Sequence, residues 1–230
     1  MLQGKIRTAF LLSFLSVFLI ACEKNSQNST AYWYKSYYDT SFGRFIDYEV
    51  TEINHDENAA NQHDTLNYFL RIRMEDTIVD NLGRIATKYV RYKKNNVNDP
   101  WQLSDVWTTI VDGANAELVE ENQRKVKLKF PINEFTKWDA NVFNLDEKLD
   151  CSYENMHVSR SINGLFFDST IMVNQGEKRD FLRFYKRKEI YANGIGMISK
   201  YLKDLDISNF DTLQIKSGKE TYMQVINFGK

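Results

Sequence analysis

Two cysteines, two prolines and ten glycines in 230 residues exclude a good deal. With Cys22 and Cys151 as the whole thiol complement, a disulfide-stapled scaffold is ruled out, and stability has to come from a hydrophobic core. There is no glycine-rich phosphate loop, no serine nucleophile elbow and no paired-cysteine zinc spacing. No charge sign dominates: 30 Lys and Arg are interspersed with 31 Asp and Glu, so no global field favours nucleic acid. Scarce proline beside 15 Phe and 13 Tyr is a balance that suits β-structure.

Long apolar runs are also missing, with one exception at the N-terminus. Lys5 and Arg7 precede an uncharged stretch, Thr8 to Ala21, that is shorter than the roughly 20 residues of a membrane span. It fits the apolar core of a secretory signal. Leu19-Ile20-Ala21-Cys22 then matches a lipobox. The expected processing is diacylglyceryl transfer to the Cys22 thiol, cleavage between Ala21 and Cys22, and acylation of the new amine. More than one acyl chain makes such anchoring stable. Residues 23–30 are polar and read as a tether. The expected organisation is a signal peptide over 1–21, a lipidated cysteine and tether over 22–33, and one β-rich domain over 34–230. Position 23 is Glu, not the Asp that favours inner-membrane retention, so the expected location is the cell envelope at the outer membrane, with its face left open.

The rest of the chain is dominated by period-two alternation punctuated by Asn, Asp and Gly. Ile46, Tyr48 and Val50 share one face, as do Leu66, Tyr68, Leu70, Ile72 and Met74. His55–Asp64 reads as a polar loop. Trp101, Leu103, Trp107 and Val111 are expected on one face. Val126, Leu128 and Phe130 are expected inward, with Lys125, Lys127 and Lys129 outward. Residues 132–150 read as a long loop with a helical turn, and Lys188–Asn193 as a short helical turn. Asn163-Gly164 is the strongest hairpin signal. Ten to twelve strands joined by short turns predict a mainly β fold, an antiparallel meander forming a curved sheet or half-barrel, with a two-sheet β-sandwich as the alternative.

Trp101–Trp107, Val126–Pro131, Trp138–Asn141, Asn163–Thr170 and Glu189–Ile198 together resemble a group of uncharacterised Bacteroidota envelope lipoproteins. The resemblance spans most of residues 40–230. Its most specific part, the Tyr-Ala-x-Gly-Ile-Gly-Met-Ile element at 191–198, is also similar to a segment of half-barrel envelope proteins. It implies envelope location and β-architecture and transfers no functional residue. Ala140 stands where such proteins often carry Gly, which would alter a turn.

Several constellations invite a chemical reading. His55 and His63, with Asp56, Glu57 and Asp64, offer donors but no strict metal spacing, so no metal or cofactor is expected. Cys151 and His157 could form a nucleophile pair only with an oxyanion hole and an orienting group, neither of which is recognisable. Asp39, Asp105, Glu154 and Asp168 could serve a hydrolase, and none stands out. Lys186-Arg187-Lys188 reads as a solvated face. Trp33, Tyr34, Trp101 and Trp107 are candidates for ligand contact by stacking. The leading expectation is a membrane-anchored lipoprotein, not an enzyme, whose concave sheet binds an apolar or amphipathic ligand or an envelope partner protein. A glycan-binding accessory lipoprotein and a hydrolase with an unrecognised site are the alternatives.

Overall fold

The computed structural model describes residues 34–230. Ala21, Cys22, the tether and Trp33 lie outside the described residues. Twelve strands are present: β1 (Phe45–Asp56), β2 (His63–Val79), β3 (Ile85–Lys94), β4 (Gln102–Val111), β5 (Asn115–Glu120), β6 (Gln123–Lys129), β7 (Lys137–Asp139), β8 (Asp150–Ile162), β9 (Leu165–Arg179), β10 (Arg183–Ala192), β11 (Gly196–Ser208) and β12 (Asp211–Gly229). They form one sheet in the order β6-β5-β4-β3-β2-β1-β12-β11-β10-β9-β8-β7. Every ladder is antiparallel, and β1 pairs with β12 along its whole length.

The chain is therefore an up-and-down meander whose first and last strands zip together, leaving one gap between β6 and β7. Side chains and single backbone bonds bridge that gap. Val126 N donates to Ala140 O at 2.9 Å, and Trp138 Nε1 donates to Val126 O at 3.0 Å. Tyr153 OH accepts from Lys129 N at 3.0 Å and donates to Lys129 O at 2.8 Å. The sheet is a nearly closed barrel with almost no helix. Ala140 is part of the closing seam and does not adopt the left-handed conformation a glycine would favour.

An eight-stranded barrel is about as wide as side chains alone can fill, and twelve strands would leave a wider lumen. Two features reduce it. The β8–β9 turn reaches toward β12, where Asn163 Nδ2 donates to Val225 O at 3.2 Å and Phe167 meets Phe228 with ring centroids 5.9 Å apart. A short 3-10 helix, Ser36–Tyr38, inserts Tyr37 and Tyr38 into the core. Gly194 N donates to Ser36 O at 2.8 Å, and Ser36 Oγ donates to Asn193 Oδ1. The Tyr191–Gly196 turn thus docks the N-terminal segment.

Local chemistry accounts for the turns. Asn163 and Gly164 both have positive φ, 49° and 79°, as a two-residue hairpin of this hand requires. Gly218 has φ +130°, and a Cβ there would lie 2.3 Å from Asp204 O, so only glycine fits.

Four expectations fail, three of them for identifiable reasons. His55 and His63 are strand residues paired across β1 and β2, and the loop shrinks to 57–62. Lys188–Asn193 is not helical, because β10 runs on to Ala192 with Glu189 and Tyr191 both buried. Leu103 is 62% exposed while Trp107 is half-buried, because Ser104 is an extra residue opposite Arg91 and Tyr92 and inverts the alternation. Residues 132–150 hold β7 and turns but no helix.

Candidate functional site: a cavity with a charged floor

Between the barrel walls lies a cavity of about 80 Å³, neither sealed nor a flat depression. Much of its wall is apolar, with Ile46, Leu70, Ile72 and Leu118 joined by the flexible thioethers of Met74, Met197 and Met223. The rest of the wall carries charge. Glu120, Lys127, Glu189 and Lys200 come from β5, β6, β10 and β11, and the phenols of Tyr38, Tyr89 and Tyr191 stand beside them.

Each charged group enters by a local feature. Lys127 was expected to face outward. The ladder instead pairs Ala116 with Leu128 and Glu117 with Val126, so Lys127 is the extra residue of a bulge and turns inward. Its side chain is 11% exposed and its Nζ donates to Glu189 Oε1 at 2.6 Å. Glu189 is 1% exposed and shares a face with Tyr191, whose OH donates to its other oxygen at 2.6 Å. Lys125 Nζ donates to Glu120 Oε1 at 2.7 Å. Lys200 stands directly across the ladder from Glu189 on one side and Met223 on the other. Both Glu189 oxygens are already engaged, and Lys200 makes no hydrogen bond or ion pair among the described residues.

The protonation states follow from these contacts. Burial by itself would raise the Glu120 carboxyl, but the ammoniums of Lys127, Lys200 and Lys125 outweigh it and hold the group at about 2. Glu189 is likewise held below the usual carboxylate range, its burial overcome by Lys127, Lys200 and the two hydrogen bonds. Lys127 is raised, since the attraction of Glu189 and Glu120 exceeds the penalty of burial. Lys200 is lowered, first by burial and then by Lys127. Burial pushes Tyr38 up to about 12 and Tyr89 well above the usual phenol range.

The other sequence candidates fall elsewhere. Trp107 lines the cavity, stacked on Tyr89 at 6.0 Å with the Arg91 guanidinium 4.2 Å from its ring. Trp101, six residues earlier, packs against Arg71 and Lys94, each 4.8 Å from its ring. The two indoles are therefore engaged separately. Tyr34 is half-buried beside His157, with ring centroids 6.2 Å apart. Cys151 is buried, its Sγ donating to Leu149 O at 3.5 Å, and burial pushes its thiol up to about 12. His157 instead meets Tyr37 OH through Nδ1 at 2.8 Å. The His55 and His63 Nδ1 atoms lie 2.8 Å apart, and His55 Nε2 lies 3.2 Å from Glu220. Among the described residues no three His, Cys, Asp or Glu side chains gather as a metal site. Asp39 pairs with Arg44 at 2.6 Å and Asp105 with Arg91 at 2.9 Å. Lys186, Arg187 and Lys188 are matched by Glu177, Asp204 and Glu154.

No protein-family profile matches the chain, and no curated protein matches it. Among solved structures it is similar to a Bacteroides fragilis protein described as exported and of YmcC-like fold, with 10% identity, 84% of this chain and 98% of that one covered, and a TM-score of 0.41. It is also similar to a protein from Parabacteroides distasonis described as a lipoprotein, with 8% identity, 83% and 98% coverage, and a TM-score of 0.40.

The charged floor was missed in the sequence, although a signal for three of its members exists. In strands read at period two, Glu120 follows Leu118, Glu189 precedes Tyr191, and Lys200 follows Ile198, each at the inward parity. Isolated charges in phase with a core face are the mark of a polar interior. Lys127 carries no such mark, because its inward turn depends on a bulge.

Proposed function

We propose that this chain is an envelope lipoprotein, anchored through acylated Cys22 at the outer membrane, whose barrel is a binding module for a small amphipathic ligand and performs no chemistry on it. The observation that carries the binding role is the cavity itself, whose lining combines apolar side chains with a few charged ones. That combination is how small-ligand sites join affinity to orientation. Its volume is below the roughly 150 Å³ of an apolar cavity that admits benzene, so a larger ligand has to displace the methionine side chains or leave through the mouth. The non-catalytic reading rests on protonation. Glu120 and Glu189 are held ionised by ammoniums and Cys151 is held as a neutral thiol, so none of these is poised for proton transfer or attack near neutral pH. The anchoring half rests on Leu19-Ile20-Ala21-Cys22.

The binding role is tested by labelling methionine methyls in the mature chain and titrating small amphiphiles. Shifts at Met74, Met197 and Met223, with the methionines remote from the cavity unmoved, are expected. No shift at any of the three for any amphiphile overturns it.

A further inference from the structure

We infer that the ligand of this cavity is a monoanion, a small carboxylate borne on an apolar body, and that Lys200 is the residue that receives it. The inference rests on the amphipathic-ligand reading above and names the chemistry of its polar end.

The charges around the cavity do not balance. Two carboxylates, Glu120 and Glu189, face three ammoniums, Lys125, Lys127 and Lys200. Lys125 and Lys127 are matched by short ion pairs, and Lys200 is left over. The nearby guanidiniums do not offset this, because Arg44 is matched by Asp39 and Arg91 by Asp105.

Its donors do not balance either. The Lys200 ammonium has no acceptor among the described residues, and neither does the Tyr89 hydroxyl on the same cavity. Arg44 Nε, from another lining residue, is buried without a partner. Both oxygens of Glu189 are engaged and Tyr48 OH donates to Met197 O at 2.6 Å, so against these three donors Glu120 Oε2 is the one oxygen of the two floor carboxylates without a hydrogen bond among the described residues. Arg44 Nε is a buried donor left unmade, which is costly, while Lys200 Nζ and the Tyr89 hydroxyl open into the cavity and are met by whatever occupies it. A group with two acceptor oxygens and one negative charge corrects both imbalances.

Volume and surroundings select the class. About 80 Å³ favours a small ligand, a carboxylate whose short hydrocarbon portion displaces the flexible methionine side chains or reaches out of the cavity, and the net excess of one positive charge matches a monoanion better than a dianionic phosphate. Met223, directly opposite Lys200, and Met197 supply the apolar contact for the body of the ligand.

The test uses the full mature chain with labelled methionine methyls and three soluble probes of one shape: pentanoate, pentanamide and pentylammonium. Pentanoate is expected to shift the Met74, Met197 and Met223 methyls and to bind at least tenfold more tightly than pentanamide, with pentylammonium the weakest. Lys200→Gln is expected to erase the preference for pentanoate over pentanamide, and Lys200→Arg to retain most of it. Equal binding of pentanoate and pentanamide, or an undiminished preference in Lys200→Gln, overturns the anion inference while the amphipathic cavity stands. Failure of all three probes to move the methyls overturns both. Because Lys200 makes no hydrogen bond or ion pair among the described residues and Lys125 and Lys127 still neutralise the two carboxylates, the Gln variant is expected to fold, and unchanged far-ultraviolet circular dichroism checks this.

Discussion

Lys127 and Glu189 show how much a single buried pair can matter. Removing one member of such a pair leaves an uncompensated charge and costs about 3–5 kcal/mol, whereas replacing both is far milder. Lys127→Met is therefore expected to lower stability by about that amount in urea unfolding. Lys127→Met combined with Glu189→Gln should recover more than half of the loss, and a double variant no better than the single one would contradict the pairing. Glu120 gives a pH signature. Its folded pKa of about 2 lies below the usual 4.5, so its contribution is fully present above about pH 4.5 and is lost as pH falls toward 2. Over that window wild type should lose on the order of 3 kcal/mol more than Glu120→Gln, read from denaturant midpoints at successive pH values.

The strands show what alternation can and cannot reveal. The period-two pattern and the Asn163-Gly164 turn were legible because each reflects local geometry: side chains alternate about a pleat, and a two-residue hairpin needs positive φ. The bulges were not legible. Ser104 and Lys127 are extra residues whose effect depends on the partner strand, so the sequence alone placed Leu103 inward and Lys127 outward. The unpaired state of Lys200 was hidden for a similar reason, since it depends on Lys127 and Tyr191 reaching Glu189 from other positions. Gly218 carries the element-scale prediction. At φ +130° and 2.3 Å from Asp204 O an added methyl has no room, so Gly218→Ala should cost on the order of 2–4 kcal/mol and lower the melting temperature by roughly 4–16 °C. Gly113, with nothing within 4 Å of a Cβ and no left-handed φ, should tolerate alanine with a far smaller shift.

At the scale of the molecule, β1 meeting β12 puts both ends of the described chain into one closure, while the β6–β7 gap is held by a few bonds from Trp138, Ala140 and Tyr153. Tyr153→Phe removes both seam contacts of the phenol without removing its ring. It should raise amide exchange in β6 and β7 well before β1 or β12, and uniform exchange across all four strands would contradict a local seam. At the N-terminus, Cys22→Ser is expected to abolish acylation and signal cleavage, read by palmitate labelling and the mass of the product. Normal processing of that variant would contradict the lipoprotein assignment.

If the barrel interior is a receptive space and not merely a packed core, a crystal of the mature chain soaked with pentanoate shows it. Density is expected for a carboxylate beside Lys200 and Tyr89, with its hydrocarbon portion against Met197 and Met223. Ordered water alone in that space at saturating pentanoate, or a cavity closed by its own side chains, would contradict it.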